Sequence, residues 1–171
     1  MEFLGDYKNN YEDIFNVDEN NISKIFKGYN KKEGREICLK VIDKKQIELV
    51  DYDFILEQIK REEEITKLCK SENIINFYQK LETQNNIIFE LEYYSQNIME
   101  YISNNGELRR EPENFKNIIL SLANALLIIH TKGVMHRDIK PNNIFLVNEN
   151  DLSLIKLGDF GCSTYIKEKY I

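Results

Sequence analysis

The stretch His136-Arg137-Asp138-Ile139-Lys140-Pro141-Asn142-Asn143, followed closely by Asp159-Phe160-Gly161, decides how this chain is read. Between the two motifs stand Ile144-Phe145-Leu146-Val147 and Leu154-Ile155-Lys156-Leu157, apolar runs of strand composition across an Asn- and Asp-rich turn. A hairpin made from them brings Asp138, Asn143 and Asp159 to one end of a rigid support. Two carboxylates and a carboxamide gathered in this way suit Mg²⁺, a hard cation that takes oxygen ligands and phosphate and keeps some of its water.

Working outward, Pro112-Glu113 opens a long helix, since Pro suits the first helical position and Glu the positive end of the dipole. Phe115, Ile118, Ile119, Leu122, Leu126 and Ile129 form its apolar stripe, and Gly133 ends it. Upstream, Asn104-Asn105-Gly106 marks a break. Phe54 to Lys70 predicts another helix, because apolar residues at 55, 56, 59, 65, 68 and 69 fall on one face at about 100° per residue. Strands are expected within Val17 to Val41, around Ile25-Phe26 and Ile37 to Ile42, and again at Ile74 to Leu81 and Ile87 to Tyr93. Asn30 to Gly34 and Thr83 to Asn86 supply turns, and the first 14 residues read as a polar lead-in. The order is strands, helix, strands, long helix, hairpin: an α+β chain whose strand-rich part precedes a helical one. No internal repeat or low-complexity linker interrupts it.

Composition narrows the function classes. The chain has 171 residues, 42% apolar and 30% charged, with a formal net charge of −6. That balance is ordinary for a globular protein, and its acidity argues against a nucleic-acid or membrane-surface partner. No apolar run approaches the roughly 20 residues of a membrane helix. Cys38, Cys69 and Cys162 lack metal-ligand spacing. Their odd number, and the absence of a signal-peptide pattern, predict a reducing cytoplasmic or nuclear location.

The two motifs and the element order together resemble the eukaryotic protein kinase family, over Tyr11 to Ser163. His-Arg-Asp-x-x-x-x-Asn and Asp-Phe-Gly are both matched in full. The resemblance implies a two-lobe fold, with residues 11–94 as N-lobe and hinge and 95–171 as a partial C-lobe ending in the activation segment. It implies ATP and Mg²⁺ as cofactors and a protein substrate. Lys140, two residues after Asp138, is the choice usual in serine/threonine kinases, so the implied acceptor is a Ser or Thr hydroxyl.

The implied roles follow the family. Asp138 orients the hydroxyl and accepts its proton, Asn143 and Asp159 hold Mg²⁺, and Lys140 offsets charge on the transferred phosphate. His136 is assigned to packing beneath the site and Arg137 to pairing with a phosphorylated activation loop, while His130 reads as a helix-end residue. Lys40, in Ile-Cys-Leu-Lys, is the partner of the ATP α- and β-phosphates. Its own carboxylate partner lies in Arg61-Glu62-Glu63-Glu64. On the helical wheel Glu62 falls about 20° from the apolar centre and Glu63 about 80°. Counting back from Asn73 without a gap also selects Glu62; Glu64 is the alternative if the following loop is shortened. Ile25, Cys38 and Phe145 are the implied adenine contacts, and Val17 is an implied nucleotide-binding position. Two hinge registers are open in Ile87 to Tyr94, and spacing to Ile98 and Ile102 favours Leu91 as the back-pocket residue with Glu92 to Tyr94 as hinge.

Two departures stand out. The expected Gly-x-Gly-x-x-Gly falls on Asp18-Glu19-Asn20-Asn21-Ile22-Ser23, with no glycine at all. Two acidic side chains there would repel a triphosphate. After Gly161 only Cys162 to Ile171 follow, without an Ala-Pro-Glu-like motif, so the expectation is that this chain alone phosphorylates no peptide. The competing readings are a catalytically silent kinase-like interaction module and a small-molecule phosphotransferase; the second leaves Asp-Phe-Gly unexplained.

Overall fold

The computed structural model describes residues 1–105 and 112–166. Gly106 of the expected break, and the end of the expected activation segment from Lys167 on, lie outside the described residues. The chain divides into two compact units, Met1–Glu57 with Phe77–Tyr93, and Gln58–Asn76 with Tyr94–Ile171.

The first unit is built on an antiparallel sheet of β1 (Tyr11–Glu19), β2 (Ser23–Asn30), β3 (Arg35–Asp43), β4 (Phe77–Glu82) and β5 (Asn86–Glu92), in the order β1-β2-β3-β5-β4. Strand alternation gives the sheet two distinct faces. Ile37, Leu39 and Val41 of β3 join Leu81 and Ile88 in a buried cluster on one of them. Directly opposed residues share a face. Lys40 opposes Ile25 and Phe89, and Cys38 opposes Leu91, so these side chains belong to the other face. A short helix α1 (Lys44–Glu48), capped by Asp43 accepting from the Lys45 N–H, leads to the longer α2 (Tyr52–Leu68).

The expected polar lead-in is instead structured. β1 already begins at Tyr11, and Glu2–Asn10 form two 3-10 segments broken by a kink at Gly5, with Leu4 fully buried in the sheet cluster. Phe3 stacks on Phe26 at 4.6 Å between centroids. Scattered apolar residues in a polar context carry no period, yet Phe3, Leu4 and Tyr7 all pack on this sheet cluster. The same face holds a buried carboxylate, Glu90, which accepts from Tyr11 Oη at 2.5 Å, Gln79 Nε2 at 2.7 Å and Asn30 Nδ2 at 3.0 Å. Such convergence is what makes a buried charge tolerable. Burial first, and then Glu90, hold the Tyr11 hydroxyl well above its ordinary pKa.

In the second unit α3 (Ile98–Asn105) and α4 (Pro112–Thr131) precede a two-residue strand β6 (Val134–Met135). The hairpin β7 (Ile144–Asn148) and β8 (Asp151–Leu157) follows, and then the short β9 (Thr164–Tyr165), paired with β6. Ile65, Cys69, Ile74, Ala125, Ile129, Leu146, Ile155, Leu157 and Phe160 form the core. The buried face of α4 keeps Ile118, Leu122, Leu126 and Ile129 of the expected stripe but is centred on smaller residues. Ser121, Ala125 and Ile129 are its buried residues, flanked by Ile118, Leu122 and Leu126, whereas Ile119 is 63% and Phe115 42% exposed. Small side chains at 121 and 125 let the helix approach closely, and a hydropathy pattern gives Ser no weight.

Candidate active site

Of the predicted site residues in the second unit, Asp138, Lys140 and Asn143 are linked by hydrogen bonds into one cluster. Gly133, with φ +67°, closes α4 by donating its N–H to the His130 carbonyl at 2.9 Å and sends the chain into β6. Arg137 also has positive φ, +67°, a costly conformation for a side chain with Cβ, and it turns the backbone so that Asp138 follows His136 closely. Pro141–Asn143 then form a 3-10 turn, with the Asn143 N–H on the Lys140 carbonyl at 2.9 Å.

This turn holds the Asp138 carboxylate from two sides. Lys140 Nζ donates to Asp138 Oδ2 at 2.7 Å, and Asn143 Nδ2 donates to the same oxygen and to the Asp138 carbonyl, each at 2.9 Å. Lys140, and then Asn143, keep the Asp138 carboxyl below its ordinary pKa, and Asp138 raises that of Lys140. The carboxylate is therefore ionised at neutral pH and oriented before any ligand arrives.

His136 sits beneath. Its Nε2–H donates to the Gly158 carbonyl at 3.0 Å, so Nδ1 is left to accept the Asp138 N–H at 3.3 Å. Those two partners select the neutral Nε2–H tautomer. Burial lowers the pKa of His136, against opposing contributions from the Gly158 hydrogen bond, Asp159 and Asp138. The ring meets Phe160 edge-on at 4.9 Å. A Cβ at Gly158 would come within 2.8 Å of Ile75 Cδ1 and Phe145 Cε2, so only glycine fits here without displacing the core. Asp159 follows at φ +57°, exposed, with Phe160 driven into the core behind it.

The expected metal ligands are chemically suited to Mg²⁺. Asn143 spends its amide hydrogens on Asp138, which leaves its carbonyl oxygen as the free donor atom, and Asp159 adds a carboxylate. Among the described residues, no three or more His, Cys, Asp and Glu side chains gather into a complete metal cage. A carboxylate and a carboxamide that leave room for water and phosphate oxygens are the usual protein share of a Mg²⁺ site.

The remaining predicted residues lie on recognisable positions of their own elements. Ile25, Cys38, Lys40 and Leu91 share one face of the first unit's sheet, where burial pushes the Cys38 thiol up to about 12. Val17 sits at a register shift in β1 and is largely exposed. Glu92 ends β5 opposite Ile37, on the other face from Leu91. Tyr94 belongs to the second unit, with Lys156 Nζ 5.6 Å from its ring centroid, and Phe145 lies on β7. On α2, Glu62 is buried with only 8% exposure, Glu63 pairs with Lys67 at 2.6 Å, and Glu64 faces solvent.

Residues 11–170 match the family described as the protein kinase domain. The chain belongs to the protein kinase domain family. It is 32% identical over 146 residues to CBL-interacting protein kinase 28 of Oryza sativa subsp. japonica, covering 85% of this chain and 32% of that one. CBL-interacting serine/threonine-protein kinase 16 of Arabidopsis thaliana is 33% identical over 149 residues, covering 84% and 29%. The probable serine/threonine-protein kinase fhkA of Dictyostelium discoideum is 32% identical over 173 residues, covering 95% and 28%. The chain thus spans about a third of the length of these curated relatives.

Within this kinase fold, three supports escaped the sequence reading. β6 pairs with β9, Met135 opposite Thr164, and the Ile166 N–H reaches the Gly133 carbonyl at 2.7 Å. Ser163 Oγ donates to the His136 carbonyl at 3.2 Å, and Arg137 Nε donates to the Cys162 carbonyl at 2.7 Å. Together they tie the segment after Asp-Phe-Gly back onto the catalytic loop. Two-residue strands have no period to detect. Gly158 did carry a signal, a glycine at the end of an apolar strand, which marks close backbone approach.

Proposed function

We propose that this chain carries the phosphoryl-transfer centre of a serine/threonine protein kinase, with ATP as donor and a protein Ser or Thr hydroxyl as acceptor. The observation that supports it most is the Asp138 carboxylate, ionised and held at 2.7–2.9 Å by Lys140 and Asn143. Asp138 would accept a hydrogen bond from the substrate hydroxyl and take its proton as the phosphate transfers. The reaction needs little covalent help, so orientation and charge are what such a loop contributes. Lys140, released from Asp138 by an arriving phosphate, would offset its charge. Asn143 and Asp159 are the residues that would hold Mg²⁺, which supplies neutralisation of the phosphate oxygens when bound. Lys40 would meet the nucleotide phosphates, and Glu62 keeps its assignment as the inward carboxylate of α2. The place of action proposed is the cytoplasm or nucleus; no helix among the described residues is long and apolar enough to cross a membrane.

A catalytically silent interaction module is the second reading, favoured by the glycine-free turn at Asp18 to Ser23. Melting the chain against rising Mg-ATP separates the two. The first reading expects a concentration-dependent rise in melting temperature that Asp159→Asn removes. No rise at millimolar Mg-ATP would leave the silent module standing.

A further inference from the structure

The turn between β1 and β2 is closed by one side chain. Asn20 Oδ1 accepts the Ile22 N–H at 2.9 Å and the Ser23 N–H at 2.8 Å, and the Ser23 hydroxyl lies 3.3 Å from the same oxygen. The Asn20 N–H returns to the Ser23 carbonyl at 2.8 Å. No residue from Asp18 to Ser23 has positive φ, so this turn forms without any need for glycine. Successive backbone N–H groups converging on one point make a concavity that attracts anions. Here the concavity is filled by a neutral oxygen belonging to the chain itself.

The position matters more than the motif. Asx turns are common and usually only shape a loop. This one occupies the segment that protein kinases lay over the nucleotide phosphates. We infer that Asn20 sets this chain's affinity for the triphosphate, because its carboxamide oxygen takes the two amide donors that a phosphate oxygen would otherwise use. The inference rests on the nucleotide-site reading above. Charge acts in the same direction. Asp18 and Glu19 precede the turn, and Lys24, its nearby cation, is already paired with Glu19 at 3.0 Å. Asn16 Nδ2 reinforces that pair by donating to Glu19 at 3.2 Å. Adenosine, which lacks phosphates, would be unaffected by any of this.

Calorimetric titration of the whole chain with Mg-ATP and with adenosine tests the inference in the wild type, Asn20→Ala and Asn20→Asp. The Asn20→Ala change empties the concavity at an exposed turn, and Mg-ATP is expected to bind about tenfold tighter with adenosine unchanged. Asn20→Asp keeps the acceptor and adds a charge, so no tightening is expected. Amide hydrogen exchange without nucleotide should be faster at Ile22 and Ser23 in Asn20→Ala than in the wild type. An unchanged ratio of ATP to adenosine affinity in Asn20→Ala, with adenosine still bound, overturns the role of Asn20 and leaves the nucleotide site intact. Failure of both ligands to bind both wild type and Asn20→Ala overturns the nucleotide site, and the inference with it.

Discussion

From His136 to Ser163 local bonds from Lys140 and Asn143 to Asp138 are backed by hydrogen bonds between residues far apart in sequence: His136 to Gly158, Arg137 to Cys162, Ser163 to His136. From Asp18 to Ser23 the side-chain hydrogen bonds and the Glu19–Lys24 ion pair join neighbours no more than five positions apart. Both regions are polar and both are internally bonded, yet the consequences differ. The long-range network exists only in the folded unit, and Asn143, whose amide hydrogens go to Asp138, keeps its carbonyl oxygen for outside chemistry. The short-range one needs no tertiary structure to form, and it uses up the donors it gathers. Preorganisation therefore serves a site when it leaves atoms that a ligand can reach, and works against it when the gathered donors are already consumed.

The comparison predicts large effects on one side and small ones on the other. Phe160→Ala should be the most damaging change, costing about 3–5 kcal/mol as a fully buried aromatic is lost from the core; chemical denaturation measures it. A loss under about 1 kcal/mol would mean that the network, rather than packing, carries the loop. Gly158→Ala should cost roughly 1–3 kcal/mol through crowding against Ile75 and Phe145. An Ile75→Val background should relieve part of that cost.

Acid should separate the regions next. Burial depresses the His136 pKa below 6.5, so the unfolded chain takes up the proton first. Its contribution to stability is complete above that value and is lost as pH falls through 6.5 toward the folded pKa. Melting temperatures between pH 7.5 and 5 should fall less steeply in His136→Gln than in the wild type, and parallel slopes would contradict the buried neutral imidazole. Smallest of all, Asn20→Ala should change stability by under about 1 kcal/mol, since the turn is exposed and local. A larger loss would show that the turn supports the sheet.

The same contrast explains what the chain's sequence disclosed. The β7–β8 hairpin, α2 and the linked trio Asp138, Lys140 and Asn143 were legible because their residues either repeat with a period or occur in a motif of defined spacing. Glu62 was legible from the wheel, and it is the buried member of its glutamate run. Leu4 and Tyr11 were not, because burial of a short aperiodic segment depends on a sheet face built elsewhere. Nor was the α4 face centred on Ser121 and Ala125, where closeness of approach outweighs hydropathy. In the turn, loss of glycine was visible, but its meaning was not: the expected obstacle was acidic charge, and the structure adds Asn20 as an internal acceptor.

The most direct test is calorimetric titration of the wild-type chain with ATP, once with Mg²⁺ and once with EDTA, beside adenosine. If Asn143 and Asp159 supply the phosphate contacts through Mg²⁺ while the β1–β2 turn withholds its amides, ATP will bind more tightly than adenosine only when Mg²⁺ is present. Metal-free ATP that still binds much more tightly than adenosine would contradict this account.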